Sequence, residues 1–112
     1  PLADLGTVIA SWTDKKEKDT PFIYSPSLSG GFPSRDKILT LYEENSQLNL
    51  NEIEFYVRLS FWKHAMIMEG VYVRYSLGYY GNVDKKEVEA FGESTLSFAQ
   101  KASAKNLLKE IF

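Results

Sequence analysis

Few side chains in this 112-residue chain are equipped for chemistry. There is no cysteine, which removes thiol nucleophiles, disulfide frameworks, zinc ribbons and iron–sulfur ligation together. The single histidine, His64, excludes a multi-histidine metal site or a His–His relay within one chain. It is followed by Ala65 and Met66, and no nearby serine stands in a nucleophile elbow. On so apolar a stretch it reads as a core or boundary histidine. No G-x-G-x-x-G or Walker loop occurs. Ser29-Gly30-Gly31 reads as a turn, because no strand precedes it and no lysine follows in register.

Four charges inside one long apolar stretch are more informative. Arg58 and Glu69 stand eleven residues apart, as do Lys63 and Arg74. On a helix each pair points within about 20° of a common direction but is separated by about 16 Å along the axis. Neither pair is a direct contact, and together they define two narrow polar stripes. One reading is solvent exposure with local ion pairing, such as Glu54 with Arg58 at i, i+4. The other is that Lys63 and Arg74 face a cleft and meet an anionic ligand. Tyr79 and Tyr80, between Gly78 and Gly81, read as a helix end more readily than as a binding loop.

The elements that must position these residues are helical. Leu2, Leu5, Val8, Ile9 and Trp12 form a first stripe, with Pro1 suited to a first turn and Asp4 near the positive end. The mixed-charge run from Asp14 to Asp19 reads as a solvated loop without a partner. Residues 20 to 33 hold the other three prolines, Gly30 and Gly31, and so form a long loop, pinned to a surface by Phe22, Ile23, Tyr24, Leu28 and Phe32. Ser34 caps a second helix that runs to about Ser46. Asn51 and Glu54 make a variant capping box, from which a helix continues to about Leu77, stopped by Gly78 and Gly81. Apolar on nearly every side, it reads as a long central buried helix. Asp84 and Glu87 open a last helix that Leu107, Leu108 and Ile111 carry to the end. Gly92 within it marks a close helix approach or a kink. No strand is convincing, so the class is all-α.

A 12.8 kDa chain with 44% hydrophobic and 25% charged residues is one globular domain, 1–112, able to build a core without staples. A formal charge of −2 gives no support to a nucleic-acid surface or a polybasic membrane patch. No signal peptide or membrane span is legible, so the expected location is the cytoplasm. The start at Pro1, with a helical pattern already running, reads as a piece of something longer.

Three segments carry a family resemblance. Pro1-Leu2-Ala3-Asp4-Leu5-Gly6 with Trp12 resembles the segment following the metal-binding aspartate loop of aminoglycoside phosphotransferase-like kinases. The similar branch is the one related to the kinase-like domains of some acyl-CoA dehydrogenase proteins, where that loop reads aspartate–tryptophan–glutamate, then glycine–aspartate, then this motif. Gly31-Phe32-Pro33-Ser34-Arg35 agrees before a helix ending near Tyr42, as does Phe61-Trp62-Lys63-His64-Ala65 leading to Met68-Glu69-Gly70-Val71-Tyr72-Val73-Arg74. Order and spacing fit over residues 1 to 78, and the final helix is generic.

The resemblance implies a helical subdomain in the C-terminal lobe of a two-lobed kinase-like fold. It implies ATP and Mg²⁺ for a full-length parent, and neither for this chain, because the phosphate loop, catalytic aspartate and metal carboxylates lie upstream of Pro1 in that family. It assigns Asp4 as a tether for the catalytic-loop backbone, against the alternative of a plain helix-start carboxylate. Lys63, Glu69 and Arg74 become candidates for the substrate-side wall. The implied partners are the rest of the lobe and a small-molecule hydroxyl acceptor, with neither nucleic acid nor membrane. The rival reading is a free-standing helical interaction module. Apolar surface in excess of what short helices cover predicts a homo-oligomer of the 112-residue piece, closed by the face that meets the missing part of the lobe.

Overall fold

A computed structural model describes residues 1–17 and 19–112. Five helices follow in order: α1 (Leu2–Ser11), α2 (Arg35–Asn45), α3 (Ile53–Ser76), α4 (Lys85–Ser103) and α5 (Leu107–Ile111). A single 3₁₀ turn, Pro26–Leu28, interrupts the long loop, and no strand occurs among the described residues. None of these helices is long and apolar enough to cross a membrane.

Local sequence explains most helix ends. Ser34 Oγ accepts the Lys37 amide at 3.2 Å, and the Asp84 carboxylate accepts the Lys86 amide at 3.0 Å, each relieving an orphan donor of a first turn. Beyond Ser76, Gly78 takes φ 79°, and the amides of Gly78 and Tyr79 turn back to the Tyr75 and Arg74 carbonyls. That is a Schellman stop, which a side chain at position 78 would strain. The capping box at Asn51–Glu54 does not form. Helix α3 starts at Ile53 behind Glu52, with no side-chain cap, because the Asn49 side chain has already taken the Asn51 amide.

The core lies where α1 and α4 pack on α3. Leu5, Ile9 and Ala10 of α1 meet Ile53, Val57, Phe61 and Ala65 of α3, with Phe98, Leu107 and Ile111 closing the far side. Helix α3 is therefore central, but it is not buried all round. Its buried residues form one stripe in the N-terminal half, while Phe55, Trp62, Met66, Ile67 and Val73 are exposed. Two neighbours cover little more than half of a helical cylinder.

Gly6 sets how closely α1 crosses α3. A Cβ placed there would lie 2.6 Å from the Tyr56 carbonyl carbon, which is backbone and cannot yield. Gly92 likewise lets the Tyr72 ring approach to 3.1 Å of where a Cβ would sit, the close approach expected of it. Gly6→Ala inverts a propensity argument. Inside an ordinary helix the change gains about 1 kcal/mol, whereas here overpacking costs about 1–3 kcal/mol. Urea denaturation reads the sign directly, and a gain in stability would mean that α1 slides freely on α3.

The mixed-charge run departs most from the sequence reading. Asp14 is buried, and the Glu17 side chain is 1% exposed. Lys18 of that run lies outside the described residues. Glu17 pairs with Arg35 at 2.7 Å and with Lys101 of α4 at 3.4 Å. Arg35 is itself 1% exposed and acts as a hub. Its guanidinium donates to the carbonyls of Ile9 (2.8 Å) and Ile111 (2.7 Å), and more weakly to Ala10 (3.4 Å), while its amide donates to Asp14 Oδ2 (3.2 Å). The C-terminal ends of α1 and α5 are thereby tied to the start of α2. Burying two charges is tolerable because each is paired and the guanidinium satisfies orphan helix-end carbonyls.

The long loop is pinned chiefly by Phe22, one of the five residues expected to hold it, together with hydrogen bonds that the sequence did not mark. Phe22 packs edge-on to Phe98 with ring centroids 4.8 Å apart, and Pro21 accepts from Ser94 Oγ at 2.6 Å. Hydroxyls of Thr13, Thr20 and Ser25 form a chain, and Ser27 donates to the Thr13 carbonyl. Ile23, Tyr24, Leu28 and Phe32 remain exposed. The last helix also differs from expectation, because it breaks at 104–106. Ala104 leaves helical geometry with ψ 136°, and Arg58 of α3 donates to the freed carbonyls of Ala102 (2.8 Å) and Ala104 (2.7 Å). A cation at a helix C-terminus is favourable, and this one stabilises the break.

Candidate functional site

The Arg35 hub fastens the start of α2 beside α1. The space between them is an open groove of about 670 Å³. Leu5 and Val8 form one wall, and Ile38, Leu41 and Tyr42 form the other. Asp4 is the one charged side chain among the described residues lining it. It sits in the first turn of α1, exposed, and its carboxylate accepts no hydrogen bond among the described residues. An apolar trough ending in an acceptor-only carboxylate can seat an apolar segment that brings an N–H donor to one end.

The other residues singled out from the sequence are not brought together. Lys63, Glu69 and Arg74 are all exposed on α3. Arg74 Nε donates to the Tyr80 hydroxyl at 2.9 Å, which ties the helix end to its glycine-bounded turn. Glu69 borders a shallow hollow of about 400 Å³ with Glu89 and Glu93 of α4, and neither Lys63 nor Arg74 lines that hollow or the groove. The Glu54–Arg58 pair expected at i, i+4 is present at 2.8 Å. His64 is a boundary residue, as its neighbours in sequence indicated. Its Nδ1 donates to the Ser60 carbonyl at 2.8 Å, and its ring stacks on Phe98 with centroids 5.3 Å apart.

Val8 and Leu41 are the groove residues that sequence reasoning missed as such. Val8 belongs to the first apolar stripe, yet it is 41% exposed, and Leu41 is 43% exposed. The available signal was width. Leu2, Leu5, Val8, Ile9 and Trp12 cover a broader arc of α1 than one packing partner can bury.

No group of three or more histidine or carboxylate side chains among the described residues could hold a metal ion. Comparison of the chain with family models, with curated proteins and with solved structures returned no match in any of the three.

Proposed function

We propose that this chain is the helical, substrate-side part of a kinase-like phosphotransferase lobe, catalytically silent on its own. The observation that carries the reading is the unbonded Asp4 carboxylate at the end of the open α1–α2 groove. The segment resemblance assigns that aspartate to hold the backbone of a catalytic loop, and the groove offers the apolar seat such a loop region needs. Lys63, Glu69 and Arg74, exposed on α3, are the substrate-side wall residues of this proposal. The parent's ATP, Mg²⁺ and cytoplasmic location belong to the same proposal.

The test uses the whole reading frame that carries this chain, assayed for ATP-dependent phosphorylation of small hydroxyl compounds. In that protein Asp4→Ala lowers turnover by about tenfold or more while nucleotide affinity stays within about twofold, as for a residue that positions catalytic groups. Equal losses in both, or no loss, would remove the tether. The isolated chain binds no Mg²⁺-ATP in calorimetry, and micromolar affinity there would contradict the proposal.

One observation favours the rival, a free-standing interaction module. The Arg35 hub joins α1, α2 and the last residues of α5 into a unit closed by its own contacts. On that reading Asp4→Ala leaves every catalytic parameter unchanged.

A further inference from the structure

Helix α3 carries a second apolar stripe, on the side away from the core. Phe55, Leu59, Trp62, Met66, Glu69 and Val73 follow one another at alternating steps of four and three. At 100° per residue they fall within an arc of about 80°, opposite Val57, Phe61 and His64. Trp62 is 53% exposed and Met66 51% exposed, so no other described residue covers the middle of the stripe. Such spacing is a coiled-coil seam, about 27 Å long, of the kind that seats a second helix knobs-into-holes.

We propose that this seam is a homodimer interface in which α3 packs antiparallel on α3 of a second copy. A two-fold axis perpendicular to the helices sets each edge of the seam against the same edge in the other copy. On the edge nearest α4, Glu69 gathers with Glu89 and Glu93 at one end. Arg58 stands at the other end, about 16 Å away along the axis. Reversing one helix therefore brings the acidic end of each copy to the level of Arg58 of the other, twice per dimer. That guanidinium already serves Glu54 and the Ala102 and Ala104 carbonyls, and its Nε–H, which has no partner among the described residues, is the donor left for Glu69. A parallel pair would instead put Glu69 level with Glu69 inside the seam, burying like charges.

The register follows from the same geometry. Centring the axis at the level of His64 sets Trp62 beside Met66 of the second copy and brings Val73 to the level of Phe55. A hollow of about 250 Å³ bounded by Phe55, Leu59, Trp62 and Arg58 lies there to receive it. Lys63 stands at the opposite edge, where its flexible stem carries the ammonium out to water.

The exposed area agrees in size. The chain presents 7403 Å² to solvent, whereas a monomer of its mass averages about 6300 Å². The difference is comparable to the roughly 800 Å² that one partner contributes to a standard interface.

Light scattering behind a sizing column at about 50 µM (roughly where a micromolar dimer is saturated) gives twice 12.8 kDa if the proposal holds. A monomer overturns it. Met66→Glu places a charge in the seam and weakens the dimer about tenfold or more, with an unchanged circular dichroism spectrum because Met66 packs on nothing in its own chain's core. Val8→Glu, in the α1–α2 groove, leaves the mass doubled. A dimer that survives Met66→Glu, or that Val8→Glu dissolves, places the contact elsewhere and overturns the proposal.

The absence of native cysteine makes the orientation directly readable. Trp62→Cys and Met66→Cys chains, mixed and oxidised, cross-link to each other in preference to themselves. Preferential 62–62 linkage would mean parallel helices and would refute the antiparallel seam even if a dimer is present.

Discussion

Arg35→Met is expected to cost about 3–5 kcal/mol, a large share of the roughly 5–15 kcal/mol by which a domain of this size is folded. The methionine fills much of the volume but leaves Glu17, 1% exposed, with only Lys101 at 3.4 Å. It also strips a donor from the Ile9 and Ile111 carbonyls at the ends of α1 and α5. An uncompensated buried carboxylate and two orphaned helix-end acceptors act in the same direction. Chemical denaturation of the single variant measures the sum. Adding Glu17→Leu removes the stranded charge and recovers part of the loss, while the carbonyls stay unsatisfied. A single-variant loss below about 1 kcal/mol would mean that water reaches the hub and that the buried pair is not what ties α2 to α1.

Phe98→Ala is the second large effect, expected at about 3–5 kcal/mol from lost burial plus the void left behind. Its ring is 1% exposed and touches three others, those of Phe22, His64 and Phe61, from the loop and from α3. Phe22 is the main apolar anchor of residues 20 to 33, so truncating Phe98 also loosens that loop. Hydrogen exchange and limited proteolysis then accelerate over 20–33 more than over α1, while Phe98→Leu keeps most of both properties. Uniform acceleration across the chain would assign Phe98 to global stability alone.

The helices themselves were legible in the sequence because their signals are local. A 3.6-residue apolar period, Ser34 and Asp84 as caps, and Gly78 as a stop act within a turn or two of where they stand, and the structure places the starts of α2 and α4 and the end of α3 accordingly. The same is true of the Glu54–Arg58 pair and of the close approach at Gly92. Asp4 was legible as a candidate from its segment, but the groove beside it was not. That groove exists because α2 is set beside α1 by contacts that span 18 to 76 residues of chain.

The tertiary structure alone decided which charges are buried. Asp14, Glu17 and Arg35 stand among polar neighbours, with no apolar period around them to mark burial. A run such as Asp14–Asp19 costs little in water and much in a core, so pattern reading assigns it to solvent. Folding reverses that assignment because Arg35 meets Glu17 and the open carbonyls of α1 and α5 together, and only the assembled helices bring those acceptors within reach. The burial of α3 was decided in the same way. Its sequence is apolar on nearly every side, but α1 and α4 cover one side, and the opposite stripe from Phe55 to Val73 is left facing outward. Periodicity reports which faces of a helix are apolar, whereas the number and placement of its neighbours determine which of those faces are covered.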